Sequence, residues 1–146
     1  MKVLHVLETS VPELVGYTVR GRYIVEHQRR QGLEPFVVTS PFFRGADGQR
    51  TDTIGGITYF RSNHIPRPNK ARGRLAAYWT RIQMLRRYRE FVAEVVRRDR
   101  PDVIHAHSSY TNGLAALHAS RRTGIPFIYE LRTLWGESAV VEEGLS

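Results

Sequence analysis

The sequence has no cysteine among its 146 residues, so disulfide bonds and thiolate chemistry are excluded. It also lacks an apolar run long enough to cross a membrane. The first apolar segment, residues 2–7, is shorter than the apolar region of a signal peptide and is not followed by a small-residue cleavage site. We therefore expect a cytoplasmic protein.

Acidic residues are scarce beside basic ones, 14 against 22, which gives a net charge of +8. The excess is concentrated between Arg72 and Arg100, where nine arginines accompany only Glu90, Glu94 and Asp99. A basic segment of this kind attracts anions such as phosphates, anionic lipid headgroups or nucleic acid. A solvated helix face explains the same charges equally well, so this pattern alone does not select a partner.

Apolar residues make up 41% of the chain and charged residues 25%, as in a soluble globular domain with a sizeable core. Because segments of strand and helix character alternate, we predict one α/β domain over residues 1–146. Its fold is Rossmann-like, with a mostly parallel sheet and helices on both faces. The predicted strands are residues 2–7, 35–40, 57–61, 101–107 and 126–131, and the predicted helices are residues 17–31, 74–98 and 112–122.

Three further expectations concern the segments between and after these elements. Residues 42–53 are predicted to be an irregular loop. Residues 132–146 are polar and acidic and contain no closing element, which predicts that the sequence is a fragment of a longer protein. The long helix, residues 74–98, has one apolar stripe that is typical of a helix packed on a core, although its Trp79 also suits an outward-facing aromatic surface. The stripe consists of Leu75, Trp79, Ile82, Leu85, Val92 and Val96.

The most informative segment, residues 101–109, is predicted to be a buried parallel strand that ends in a histidine and small polar residues. Ligands of open α/β sheets bind beyond the carboxyl ends of the strands, so His107 at the tip is a candidate for acid-base or polar chemistry. His105 lies on the same side but deeper, where we expect a packed core residue. The pair could hold a metal, but no cysteine or third ligand lies nearby, and we expect none. The other histidines, expected to be structural or at the surface, are His5, His27, His64 and His118.

Two other segments fall at the predicted carboxyl edge. Gly16 permits close approach of a ligand to the backbone, and Tyr17 and Arg20 follow in the first helical turn. This is not a dinucleotide fingerprint, because Gly16 and Gly21 are the only glycines of the region. A turn glycine and a surface arginine are the simpler alternatives.

The second segment follows the last predicted strand. It offers carboxylates, a guanidinium and an indole, which suit a polyhydroxylated ligand. A solvated loop with a packed tryptophan is the equal alternative. The residues concerned are Glu130, Arg132, Trp135 and Glu137.

Three motifs occur in order along the chain: Gly-Tyr-x-x-Arg at residues 16–20, Pro-Asp-Val-Ile-His-Ala-His at 101–107, and Gly-Ile-Pro-Phe-Ile-Tyr-Glu-Leu-Arg at 124–132. Together they resemble the N-terminal domain of GT-B glycosyltransferases of family 4, and most of all the bacterial members associated with exopolysaccharide or exosortase loci. The resemblance covers nearly the whole chain.

The resemblance implies transfer of a hexosyl group from a nucleotide-diphosphate-sugar to a glycan or lipid-linked acceptor. It implies retention of configuration, with the donor as a substrate and with no metal or other cofactor. The N-terminal domain would hold the acceptor side. The C-terminal donor-binding domain is absent from this sequence, so we expect the fragment to be inactive without it.

The resemblance also implies roles for individual residues. Gly16 would lie in the loop that approaches the donor diphosphate, although many relatives have paired glycines where Val15 precedes Gly16 here. His107 would contact the transferred sugar and is the expected catalytic residue. The remaining expected substrate-binding residues are Tyr17, Arg20, Arg132 and Glu137.

Relatives that act on lipid-linked acceptors dock on anionic membranes through basic, aromatic surfaces, so we expect contact with the inner face of the membrane through the long helix. The competing hypothesis is a non-catalytic basic module that binds nucleic acid, anionic lipid or a protein partner. Polar residues gathered at the strand ends favour the transferase, and no nucleic-acid-binding motif is present, so no nucleic acid partner is expected. The residues of the basic, aromatic surface are Tyr78, Trp79, Arg81, Arg86, Arg87, Tyr88 and Arg89.

Overall fold

The computed structural model describes residues 1–13, 16–45, 50–69 and 73–131, which form a six-stranded sheet with helices packed on both faces. The predicted Rossmann-like α/β fold is confirmed. The strands are β1 (Lys2–Leu7), β2 (Glu34–Thr39), β3 (Thr51–Ile54), β4 (Ile57–Arg61), β5 (Val103–His107) and β6 (Phe127–Glu130), and the helices are α1 (Gly16–Arg30), α2 (Arg74–Asp99) and α3 (Tyr110–Thr123).

The strand order β3-β4-β2-β1-β5-β6 creates a switch point beside β1. After β1, α1 leads to β2 on one side, and α2 later carries the chain across to β5 on the other side. The carboxyl ends of β1 and β5 therefore border a crevice with connections leaving in opposite directions. Open α/β sheets bind their ligands at such a point.

The two faces of the sheet bury different kinds of side chain. Even-numbered positions of β1 and β5, such as Leu4 and Ile104, join the large apolar cluster beneath α2 and α3. Odd-numbered positions face α1, where Leu7 packs in a smaller cluster with Val25. Because side chains alternate along a strand, the histidines of β1 and β5 all lie on the α1 face.

The hairpin of β3 and β4 corrects the prediction of an irregular loop over residues 42–53. β3 pairs antiparallel with β4 through a turn at Gly55 and Gly56, whose φ angles are 59° and 74°. Two consecutive positive φ angles are what a tight hairpin turn of this hand requires, and glycine adopts them without strain. The strand has four residues and is mostly exposed, so it has no apolar alternation by which the sequence could reveal it.

The long helix α2 is confirmed, but its apolar stripe faces the core only in part. Leu75 and Trp79 are 79% and 61% exposed, so the amino-terminal end of the stripe faces outward, whereas Tyr88, expected on the basic, aromatic surface, is buried. The carboxyl-terminal half of α2 packs on the sheet through Tyr88, Val92 and Val96. None of the helices in the described ranges is long and apolar enough to cross a membrane.

A buried polar contact fixes the end of β5 against both helices of the larger cluster. The Tyr88 hydroxyl donates to Asn112 Oδ1 at 2.9 Å, and Asn112 Nδ2 donates to the His107 carbonyl oxygen at 3.0 Å. Complete burial raises the pKa of Tyr88 well above its usual value, so the phenol remains a donor. The strand tip that carries His107 is therefore held in one position.

Candidate functional site

A small cavity lies at the switch point between the ends of β1 and β5. We call it the niche, and its volume of about 20 Å³ suits one water-sized polar group. Its walls combine the residues that follow each strand with one residue from the first turn of α1. The lining residues are Leu7, Glu8, Thr9, Tyr17, His107 and Ser108.

Two polar atoms of the niche residues are buried without a hydrogen-bond partner among the described residues: Glu8 Oε2 and Ser108 Oγ. Nearly all buried polar atoms in proteins are satisfied, so two exceptions in one cavity indicate a place where a polar ligand group or water binds. Burial raises the pKa of Glu8, while hydrogen bonds from Ser109 and Ser40 act in the opposite direction. The Glu8 carboxyl can thus both accept and, when protonated, donate a hydrogen bond.

The backbone at Ser108 is strained and firmly held. Its φ is 58°, in the left-handed region that costs a non-glycine residue roughly 1–2 kcal/mol. The Ser108 N–H donates to the Glu130 carbonyl oxygen at 2.9 Å, and the Tyr129 hydroxyl donates to the Ser108 carbonyl oxygen. Ser109 then caps α3 by accepting from the Thr111 N–H. Strain of this kind persists where surrounding contacts enforce it, and it is frequent at functional sites.

The start of α1 closes the other side of the niche. Gly16 is the first residue of α1, and Tyr17, 44% exposed, lines the niche. The hydroxyls of Thr9 and Thr18 are 3.0 Å apart, which ties the loop after β1 to the helix. A Cβ at Gly16 would meet no atom within 4 Å, so the described residues do not themselves require glycine there.

Three histidines lie on the α1 face directly below the niche. His5 Nδ1 is 2.9 Å from His107 Nε2, and the ring centroids of His105 and His107 are 3.9 Å apart. His5 Nε2 is also 2.8 Å from Gln28 Oε1 of α1. We refer to His5, His105 and His107 as the histidine cluster.

Glu130 at the end of β6 holds the cluster from its other side. Its Oε2 is 3.0 Å from His107 Nδ1 and 3.2 Å from His105 Nε2. Its Oε1 accepts from Arg20 Nη2 at 3.1 Å. Arg20 therefore does point to the carboxyl edge, where it pairs with Glu130, although 63% of its side chain is exposed.

His107 occupies the predicted position at the tip of β5, but only 2% of it is exposed, and its ring nitrogens lie within hydrogen-bond distance of His5 and Glu130. His5, expected to be structural or at the surface, is fully buried and contacts His107. His5 is the register partner of His105, because β1 and β5 are neighbours in the sheet. Sequence alone does not give strand order, so nothing local signalled this contact.

Two niche residues, Glu8 and Ser108, were also missed. The available signal was their place, since each directly follows a buried strand whose carboxyl end meets the switch point. The same rule identified His107. Three candidates of the last segment, Arg132, Trp135 and Glu137, lie outside the described residues.

A larger cavity of about 660 Å³ lies between α2 and the β3–β4 edge of the sheet, beside the residues that follow β4. Arg50, Arg86, Arg87 and Arg98 line it together with Glu90 and other residues. Neither of the two buried unpaired polar atoms of the described residues lies there. We therefore place the candidate functional site at the niche, despite its smaller volume.

This fold, with its polar site at the switch point, defines a Rossmann-like α/β domain. The chain belongs to the glycosyl transferase 4-like domain family, whose family model matches residues 15–145. No curated protein matches the chain at a significant level.

Solved structures support the fold. The C-terminal domain of a hydrogenase from Pyrococcus furiosus is similar with a TM-score of 0.60 and 14% identity, covering 89% of this chain and 90% of that one. The UDP-GlcNAc 2-epimerase from Neisseria meningitidis, bound to UDP-GlcNAc, has a TM-score of 0.53 and 15% identity. The corresponding epimerase from Methanocaldococcus jannaschii has a TM-score of 0.53 and 10% identity. The match covers 88% of this chain and 31% of each epimerase, and at these identities it shows the fold alone.

Proposed function

We propose that the chain is the acceptor-side domain of a glycosyltransferase that moves a hexosyl group from a nucleotide-diphosphate-sugar to a glycan or lipid-linked acceptor, with retention of configuration. The observation that carries this proposal is the pair of buried atoms, Glu8 Oε2 and Ser108 Oγ, that lie in one niche at the switch point and have no partner in the part of the chain that the structure describes. A carboxyl and a hydroxyl group in one niche suit a ligand hydroxyl, which both donates and accepts. Family membership supports a sugar as the source of that hydroxyl.

His107 is the proposed catalytic residue. Its ring forms part of the niche wall, so a sugar hydroxyl bound in the niche would touch the edge of the imidazole. Because His5 and Glu130 engage its two nitrogens, the ring keeps one orientation while the sugar binds. Such fixed groups accelerate a reaction by holding the reacting atoms in line rather than by adjusting during the reaction.

The start of α1 is the proposed approach of the donor diphosphate. The first backbone N–H groups of a helix have no partner within the helix and attract anions, and Gly16 opens this one at the exposed edge. The proposed substrate-binding residues beside it are Tyr17 and Arg20, with Arg132 and Glu137 on the acceptor side. A second, C-terminal domain would hold the nucleotide.

The proposed reaction breaks the bond between the sugar's anomeric carbon and the diphosphate oxygen and forms a bond to the acceptor oxygen. The nucleoside diphosphate leaves with the electron pair of the broken bond, and its departing oxygen takes the proton of the acceptor hydroxyl. The nucleotide sugar is a substrate, and the proposal assigns no cofactor to the transfer. The role of this domain is to bind and orient the acceptor hydroxyl against the sugar.

The test is nucleotide release by the full-length protein with UDP-glucose, UDP-N-acetylglucosamine and GDP-mannose, with and without extracted lipid-linked glycan acceptors. We expect release that depends on acceptor and falls about 100-fold in His107→Ala. His27→Ala, at an exposed position of α1, serves as the control and keeps full activity. Activity unchanged by His107→Ala would make His107 purely structural. No turnover with any donor, together with salt-sensitive binding to nucleic acid, would favour the basic binding module.

We further propose that the amino-terminal half of α2 contacts an anionic membrane at its cytoplasmic face. Leu75, Tyr78 and Trp79 are 79%, 60% and 61% exposed, and Arg74 and Arg81 lie within the same turns. Apolar and aromatic side chains among arginines are suited to the boundary between lipid headgroups and acyl chains. We call these five residues the α2 patch.

Replacing both Tyr78 and Trp79 with serine should weaken binding to vesicles that contain phosphatidylglycerol by about tenfold or more, because each aromatic side chain loses its burial in lipid. Vesicle co-sedimentation measures the change. Tyr23→Ser, which removes an aromatic residue that is 66% exposed on α1, is the matched control and should bind as the wild type does. Equal binding by both variants, or no preference for anionic over neutral vesicles, would contradict membrane contact through the α2 patch.

A further inference from the structure

The histidine cluster satisfies the first requirement of a metal site, which is convergence of several imidazoles. One ring nitrogen from each of His5, His105 and His107 lies within 4.8 Å of the others. Sequence analysis set a metal aside because His105 and His107 lacked a third ligand. The fold supplies that ligand from β1, since His5 pairs in register with His105.

The outer contacts of these rings match those of metal-bound histidines. Each ring places one nitrogen against an oxygen acceptor: His5 Nε2 against Gln28 Oε1 at 2.8 Å, and His107 Nδ1 and His105 Nε2 against Glu130 Oε2 at 3.0 and 3.2 Å. A histidine that binds a metal characteristically donates its other N–H to a carboxylate or carbonyl oxygen, which fixes the tautomer and the orientation of the ring.

This arrangement decides what His5 and His107 present to each other. If both rings are neutral and carry their hydrogens on the outer nitrogens, His5 Nδ1 and His107 Nε2 direct lone pairs at each other across 2.9 Å; one more proton on His107 makes the same contact a hydrogen bond. Two lone pairs at this distance repel unless a cation binds them both. Two nitrogens about 2.0–2.1 Å from a metal are about 2.9 Å apart at right angles and about 3.3 Å apart at the tetrahedral angle that zinc prefers, so the two rings would separate by about 0.4 Å on binding zinc.

We propose that His5 Nδ1, His107 Nε2 and a nitrogen of His105 bind one divalent transition-metal ion of the kind that imidazole prefers, with zinc as the first candidate. The ion would have a structural role. It would join β1 to β5 below the niche and hold the His107 ring in place, and no step of the proposed transfer passes through it. The inference is independent of the proposed function, because it depends only on the three rings and their outer partners.

The test uses the full chain, freed of metal with a chelator and titrated with Zn²⁺ or Co²⁺. We expect one equivalent to bind, with a visible absorption band of nitrogen-coordinated Co²⁺ and a rise in the thermal unfolding midpoint of roughly 8 °C at a hundredfold excess over the dissociation constant. Elemental analysis of the protein as purified measures whether an ion is already retained. None of these readouts requires enzymatic activity.

Two variants decide whether the ion binds at the cluster. His105→Gln, at a half-buried position, should fold normally and lose the Co²⁺ band, and His5→Gln should lose it as well. His27→Gln, at an exposed position, should bind as the wild type does. Binding that survives His105→Gln and His5→Gln would overturn the proposal. Failure of the wild type to bind metal at a concentration of about 100 micromolar would also overturn it. So would a nitrogen-15 spectrum that shows a proton between His5 and His107.

Discussion

Replacing Glu8 with alanine should lower acceptor-dependent sugar transfer by about 100-fold, because it removes the carboxyl that binds a ligand hydroxyl and leaves Ser108 alone in the niche. Glu8→Gln keeps the volume and some hydrogen-bonding capacity, so its loss should be smaller. Steady-state kinetics of the full-length protein measure both. Glu34→Gln, at an exposed position at the start of β2, is the control and should leave the kinetics unchanged.

Glu8 also leads to a prediction about stability, which can be tested without measuring activity. Burial raises the pKa of Glu8. A carboxyl with a raised pKa in the folded state contributes stability that is fully present below its unfolded pKa and is lost as pH rises through its folded pKa. The unfolding free energy of the wild type should therefore fall relative to that of Glu8→Gln as pH rises above 4.5, the ordinary value. A difference that stays constant from pH 4 to pH 8 would mean that Glu8 is solvated, and would contradict the niche.

Replacing Arg61 with alanine should lower the free energy of unfolding by about 3–5 kcal/mol, as expected when one partner of a buried ion pair is removed. The Arg61 side chain is fully buried, and its Nε donates to Asp52 Oδ2 of β3 at 3.0 Å. Its Nη2 donates to the Val11 carbonyl oxygen at 2.8 Å, and Nη1 donates to Ser10 Oγ. Arg61 thus joins the β3–β4 hairpin to the loop that follows Glu8, so the variant should also disturb the niche.

Urea denaturation measures this loss, and Arg22→Ala provides the comparison. Arg22 pairs with Glu26 at 2.6 Å on the exposed face of α1, and such surface pairs contribute about 0–1 kcal/mol. Arg61→Lys keeps the positive charge but not the several N–H donors of the guanidinium, so its loss of unfolding free energy should lie between those of Arg22→Ala and Arg61→Ala. If Arg61→Ala and Arg22→Ala lower the free energy of unfolding by the same amount, the guanidinium of Arg61 does not hold the loop that follows Glu8.

Elements with local signals were predictable from the sequence. β1 is a nearly continuous apolar run, broken within the strand only by His5. α3 ends where expected, because Gly124 at φ 74° donates its N–H to the Ser120 carbonyl oxygen, a contact that terminates a helix. β3 could not be predicted in this way, since its four residues have neither a buried face nor alternation.

What the sequence could not provide was the arrangement between elements. Periodicity along α2 indicates an apolar face but not whether anything covers it, and Leu75 and Trp79 turned out to be exposed. Likewise, the site depends on β1 lying beside β5, which places His5 against His107 and Glu8 in the same niche as Ser108. His107 could be found because a strand end is a local feature, whereas its partners come from distant parts of the chain.

The central claim is that the niche between β1 and β5 is the ligand site of a sugar transferase. The most direct test is a nuclear magnetic resonance titration of the nitrogen-15-labelled full-length protein with the nucleotide sugars of the panel and with acceptor glycan. The account predicts saturable shifts of the amides of Thr9, Tyr17 and Ser108, which disappear in Glu8→Ala. Shifts confined to the basic cavity around Arg50, Arg86 and Arg98, with none at the niche, would contradict it.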